Sequence, residues 1–233
     1  MMKRILLYAL LICSVAFYAS GMNTAILGGA GEGTAAVAYE YTQDFEGSGL
    51  PTNWTTEAGT PNYDLSTSGL DMEGSLCLQL DPTESASFTF TPGSADTYML
   101  LKIRQEDGID NQEVVITFVD GDSAAMYTVS WVGGGGTQAM LCDLIFADPS
   151  GATTETIAVD TARYILLRYH QGSGADAEGG IKVSNGSAWG DEVTSTGGTL
   201  ETAIAKIVIT NNANLELMTF DDIRISSSPI DHP

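Results

Sequence analysis

Basic residues are scarce in this chain. Lysine and arginine together number 9, against 30 aspartates and glutamates, for a formal net charge of −21. Nucleic-acid recognition rests on lysine and arginine neutralising phosphates, so the balance argues against it. It argues equally against an anionic membrane surface as a partner. An acidic chain suits cation binding, or simply stays soluble through its own repulsion. Histidine is nearly missing too. His170 and His232 are the only two, which leaves no basis for a histidine-built zinc site and little for a histidine-dependent triad.

Long apolar runs are also lacking. The longest, Ile5–Phe17, has 13 residues, short of the roughly 20 that a membrane-spanning helix needs. It follows "MMKR" and precedes small residues, with Ala19 and Gly21 placed for a cut after Gly21. That three-part order predicts a secretory signal over residues 1–21 and therefore an exported protein, secreted, surface-bound or carried on a virion. Three cysteines then become two, Cys77 and Cys142. Export permits a disulfide between them. In "SLCLQL", however, alternation sets Cys77 on the face opposite Leu76, Leu78 and Leu80, so the pairing stays open.

Catalytic signatures are missing as well. No Gly-x-Ser-x-Gly is present, and "GEGTAA" at 31–36 matches only a loose phosphate-loop pattern, with no strand before it. The acids of "QEDGIDNQEV", Glu106, Asp107, Asp110 and Glu113, straddle a turn instead of lining one strand face. The paired carboxylates of a retaining glycosidase stand about 5–5.5 Å apart, and neither these acids nor Glu40, Asp44 and Glu46 have a spacing that suggests it. The chain is expected not to be an enzyme.

What is present is β pattern. Residues 22–36 are small and glycine-rich, a flexible lead-in. From 37 to 228 come about a dozen short runs rich in Val, Ile, Thr, Tyr and Phe, broken by Gly, Asp, Asn, Ser and Pro. Residues 229–233 remain as a tail. "VITFVDGDSAAMYTV" carries an Asp-Gly between two such runs, a hairpin signal. Residues 133–136 and 172–180 are glycine-rich and read as loops. One all-β domain over residues 37–228 is expected, a two-sheet antiparallel β-sandwich of the jelly-roll kind.

Three segments carry a resemblance. "DFEGSGLPTNW" at 44–54 resembles the opening strand of exported bacterial jelly-roll modules, and "TFDDIRI" at 219–225 resembles their closing strand. "ARYILLRYHQGSGADAEGGIKVS" at 162–184 is similar to the central hairpin of concanavalin A-like and laminin-G-like sandwiches. The resemblance implies that the first and last strands pair. It further implies that Asp44, Glu46, Asp221 and Asp222 gather there around a structural calcium, with either Asp221 or Asp222 as the ligand; oxygen-rich sets suit that ion. Phe45, between two acids, would turn into the core.

Candidate binding residues follow from side-chain type. A pyranose stacks its apolar face on aromatic rings, which singles out Trp131, beside four glycines, and Trp189, in the polar loop "SNGSAWGDE". Trp54 reads as packing. Arg168 and His170 alternate with Leu167 and Tyr169, so they share one face, where Arg168 can donate to hydroxyls or a carboxylate. The expected function is a non-catalytic module for glycan or a surface polymer. The alternative is a structural or adhesion component of an envelope or phage particle, with protein neighbours as partners; a glycoside hydrolase ranks third.

Overall fold

Alternation of apolar and polar residues over five to ten positions cannot bury a helix face, but it buries one face of a strand. The structure, a computed structural model, describes residues 37–91, 96–105, 112–122, 124–134, 137–144, 152–197, 199–200, 202–212 and 217–233. The expected leader, the lead-in and residues 106–111 of the acidic run lie outside the described residues. Val37–Pro233 form one unit. That unit includes the tail, residues 229–233.

The larger sheet comprises β1 (Tyr41–Gln43), β3 (Asn62–Ser66), β4 (Leu76–Leu80), β6 (Asp96–Gln105), β11 (Arg163–His170), β13 (Glu178–Val183), β14 (Val193–Thr196) and β17 (Met218–Ser226). Its order is β14-β13-β11-β6-β17-β4-β3, with β1 also on β17. The second sheet comprises β2 (Trp54–Ala58), β5 (Ser85–Thr89), β7 (Gln112–Asp120), β8 (Ala125–Gly134), β9 (Thr137–Leu144), β10 (Ala152–Ala158) and β16 (Ile204–Asn211), in the order β10-β9-β8-β7-β16-β5-β2. A small ribbon pairs β12 (Gly172–Ser173) with β15 (Thr199–Leu200). All pairings are antiparallel, and the one helical turn among the described residues is a 3-10 turn at Gly174–Asp176. No helix among the described residues is long and apolar enough to cross a membrane.

The expected seam forms. β1 pairs with β17, Tyr41 opposite Ile225 and Gln43 opposite Ile223. β17 holds β6 along one edge and changes partner along the other, from β4 at residues 218–220 to β1 at 223–225. Between those stretches β17 carries one extra residue relative to β6, with Asp222 in the left-handed region at φ 46°. A bulge bends and twists a strand locally. Here it falls where the neighbouring edge changes hands.

An aromatic cluster closes this end of the sandwich. Phe45 is fully buried and meets Trp54 edge-on at 5.3 Å; Trp54 meets Tyr63 at 5.9 Å and Phe88 at 4.9 Å. Tyr41 stacks on Phe88 at 4.8 Å and accepts a hydrogen bond from Trp54 Nε1 at 2.5 Å. Phe45 reaches its place at φ 54°, a backbone state that costs a non-glycine residue energy. Burying a whole phenyl ring contributes about 1.5–3 kcal/mol, enough to hold it there.

The pattern misses β2, β3 and β14. In β2 and β3, Trp54 and Tyr63 are the only buried residues, because both are edge strands with little to cover their polar face. The Asp-Gly hairpin is real and joins β7 to β8, but its turn is longer than two residues. Asp120 caps it by accepting from the N–H groups of Asp122 at 3.0 Å and Ala124 at 2.8 Å. Cys77 is a buried thiol outside the main core, on the face its alternation indicated. β4 and β9 lie toward opposite ends of their sheets, and the Cys142 side chain lies outside the described residues.

Phe45→Ala is expected to lower the unfolding free energy by about 3–5 kcal/mol, since the cavity opens among four other rings. Leu50→Ala, at an exposed position (54%), should change it by less than about 0.5 kcal/mol. Urea unfolding of the two variants checks both.

Candidate outer-face groove

The strand order of the larger sheet places chemically distinct side chains in cross-strand rows on its outer face. Inward from β11 point Ile165, Leu167 and Tyr169, all fully buried in the core. Outward point Tyr164, Leu166, Arg168 and His170, as the alternation of that strand predicts. Register then gives each an opposite number. Arg168 lies between Tyr98 on β6 and Gly180 on β13; Leu166 lies between Leu100 and Lys182; Tyr164 lies opposite Lys102.

Arg168 is the hub of one end. Its Nη1 donates to Glu178 at 2.7 Å and its Nε to Glu192 at 2.8 Å. Glu192 reaches Lys182 as well, at 3.7 Å. The Arg168 guanidinium holds the Glu178 carboxyl below the usual carboxylate range, and Glu178 in turn makes Arg168 harder to deprotonate. Gly180 is what lets this happen. A Cβ there would stand 2.3 Å from Glu192 Oε1 and 3.4 Å from Arg168 Nε, so the ion pair lies directly across a bare strand. The carbonyl of the same residue accepts from Tyr127 of the opposite sheet at 2.9 Å. Residues 172–180, expected to be loop, therefore contribute β12, a 3-10 turn and the first residues of β13, where glycine clears space for its neighbours.

The tail covers the middle of the face. Ile230 is buried against Leu100 and Leu166, with Tyr39, Tyr98, Tyr164 and Trp189 around them. His232 bonds Ser184 Oγ at 2.6 Å and meets Trp189 edge-on at 5.0 Å. Between tail and sheet opens a cavity of about 370 Å³, lined by Tyr98, Leu166, Arg168, Lys182, Trp189, Glu192 and residues 229–231. Trp189 Nε1 is itself shielded from solvent and finds no acceptor among the described residues. An orphaned indole donor is costly and is usually satisfied by a partner.

Two of the three expected binding residues, Arg168 and Trp189, thus line one cavity. Trp131 sits in β8 opposite Val114 and Met140, and its side chain lies outside the described residues. His170 bonds Asp96 at the end of the same sheet face. Sequence reasoning missed Tyr98, Lys182 and Glu192. Tyr98 and Lys182 were readable as outward positions of their strands, but nothing local showed which strands lie beside β11.

Each of the four acids of the seam has partners within the chain itself. Glu46 is exposed and accepts from Ser75 N at 2.6 Å, Ser75 Oγ at 2.7 Å and Leu76 N at 3.1 Å; the Ser75 contacts above all hold its carboxyl below the usual range. Asp44 Oδ1 turns back to the N–H of Glu46. Asp222 is gripped by Arg224 through Nε and Nη2, both at 2.7 Å. The Tyr164 hydroxyl lies 3.0 Å from both Asp222 Oδ2 and Glu73 Oε1 and donates to one at a time. Lys102 completes the network at 2.7 Å from Glu73. Among the described residues no group of three or more potential ligands is disposed to hold a metal ion. The donor set does not fit the calcium that the resemblance implied, because Arg224 already holds Asp222, and Asp44, Glu46 and Asp221 each accept from backbone N–H groups.

Asp221 differs from the rest. It is fully buried, its Oδ1 accepts from the N–H of Asp222 at 2.8 Å, and its Oδ2 has no partner among the described residues. Burial pushes its carboxyl up to about 7.

No family model and no curated protein matches this chain. Solved structures do. An endo-β-1,4-glucuronan lyase from the fungus Trichoderma reesei aligns with a TM-score of 0.58 at 10% identity, over 82% of this chain and 96% of that one. The cellulose induced protein Cip1 gives 0.55 at 17% identity, over 83% and 100%. The CBM2 module of the evolved Dit of Lactobacillus casei BL23 phage J-1 gives 0.54 at 10%, over 84% and 97%. The fold is a concanavalin A-like jelly-roll sandwich, as the resemblance implied. At these identities the likeness shows the fold alone, which hosts lyases and binding modules alike.

Asp221→Asn should stabilise the chain in a pH-dependent way. A carboxyl with a raised folded-state pKa stays protonated in the fold while the unfolded chain releases its proton, so wild-type stability falls between about pH 4 and 7. The variant keeps the Oδ1 acceptor and carries no charge. Its advantage in thermal midpoint is expected to grow across that window and level off above about pH 7; a constant advantage would contradict the burial argument.

Proposed function

We propose that this chain is an exported, non-catalytic module that binds glycan or another hydroxyl-rich surface polymer in the outer-face groove of its larger sheet. The observation that carries the reading is the 370 Å³ cavity that Tyr98 and Trp189 line together with the Arg168–Glu192 pair. Aromatic surface beside planar donors and acceptors is what a pyranose ring presents a match for: C–H groups on its faces, hydroxyls at its rim. That several proteins of the same fold carry carbohydrate-related names, a cellulose induced protein and a CBM2 module among them, supports the reading. Export rests on the signal pattern of residues 1–21.

The carboxylates beside the groove support a binding role over a catalytic one. Glu178 and Glu73 are held below the usual range by Arg168 and Lys102, whereas a general acid needs a raised pKa. Tyr164, half-buried and flanked by two carboxylates, is pushed above its ordinary value and is a poor proton-abstracting base. A structural or adhesion part of a particle is the second reading, favoured by the phage Dit module among the similar structures.

A glycan array followed by titration calorimetry tests the proposal. Saturable binding to at least one oligosaccharide is expected, weakened at least tenfold, or about 1.4 kcal/mol, by Trp189→Ala and by Arg168→Ala. Absence of binding at millimolar sugar, with ordered self-assembly instead, would favour the second reading.

A further inference from the structure

Resting on that glycan reading, we infer that the groove selects uncharged glycans and rejects polyuronates, and that Glu178 and Glu192 set this choice by occupying Arg168. The fold alone leaves the matter open, since one protein that shares it is named for glucuronan, a polymer with a carboxylate on each sugar, and another for alginate. A site for such polymers needs cationic side chains whose charge is free for the ligand. This groove has two cations, Arg168 and Lys182, and neither is free. Arg168 donates to Glu178 and Glu192 at 2.7 and 2.8 Å, and Glu192 also faces Lys182 at 3.7 Å.

The remaining charged lining residue, Asp231 of the tail, is an acid; the lining thus holds two acids and two cations, and Glu178, bonded to Arg168 just outside it, makes the acids three against two. An entering carboxylate would meet more negative than positive side chains. The Arg168 side chain is only 19% exposed, so water screens these contacts weakly. An uncharged sugar meets a different surface. The N–H groups of Arg168 that are not committed to the two glutamates, together with the carboxylate oxygens of Glu192, present donors and acceptors side by side, which suits neighbouring hydroxyls. Gly180 is the enabling position. It is opposite Arg168 in register, and any side chain there would collide with Glu192. The selectivity is therefore built into β13 and its loop, not into the aromatic residues.

Titration calorimetry on the full chain supplies the test, with neutral hexasaccharides (gluco-, manno-, xylo- and galacto-configured) beside hexamers of glucuronate and alginate. The wild type is expected to bind at least one neutral hexamer at least tenfold more tightly than either uronate. That affinity should be nearly unchanged between about 0.05 and 0.5 M salt, because no net charge is exchanged. Glu178→Gln/Glu192→Gln frees Arg168 and should raise uronate affinity at least tenfold, in a manner that salt abolishes. Wild-type preference for a uronate would overturn the selectivity while leaving the glycan reading intact. Binding of no hexamer at all would remove the glycan reading and this inference together. Circular dichroism of the double variant establishes that it folds; if it does not, the single Glu192→Gln and the salt series on the wild type decide the question in the same directions.

Discussion

The bulge at Asp221–Asp222 is the constraint on which the rest of this sandwich depends. β17 must serve β6 along its whole length on one edge and two different strands on the other. A regular strand has no means of releasing one neighbour and receiving another. The extra residue, with Asp222 at φ 46°, makes that break. Its cost is offset locally. Arg224 grips Asp222 with two hydrogen bonds, while Asp221 turns under the sheet and accepts from the Asp222 backbone. With β1 thus seated, Phe45 and Tyr41 can close the aromatic end of the core.

The same arrangement explains how the acids of the seam are held. Carboxylates gathered at a strand junction repel one another unless something positive intervenes. In this chain the neutralising groups are Arg224, Lys102 and backbone N–H groups, all supplied by the sheet itself. With only 9 basic residues in the sequence, their concentration on the outer face of one sheet is notable: Lys102, Arg104, Arg168, Lys182 and Arg224 all stand on its strands. Each of those cations is paired with an acid.

The tail gives the outer face its shape. Leu100 and Leu166 would otherwise leave an apolar strip open to water, and Ile230 covers it. His232, held by Ser184 and resting against Trp189, pins the end of the chain. The groove survives beside the tail instead of beneath it, between an apolar wall and the Arg168 hub.

Much of the fold was legible in the residues. Period-two alternation named most strands, put Arg168 and His170 outward and Cys77 away from the core, and the acidic end motifs identified β1 and β17 as partners. Edge strands β2, β3 and β14 were not legible, because a strand with one covered face and few neighbours needs little apolar pattern. For the site, side-chain chemistry singled out Trp189 and Arg168, while the four acids that the resemblance gathered around an ion are engaged by groups of the chain itself. By itself, then, the sequence determined which face each side chain occupies, since that follows from local alternation. Only the tertiary structure decided which side chains meet: that Arg168 lies across Gly180 onto Glu192, that the tail reaches Trp189, that Asp222 belongs to Arg224. Those meetings depend on strand order and register, which are set by the packing of the whole core and are written in no single stretch of chain.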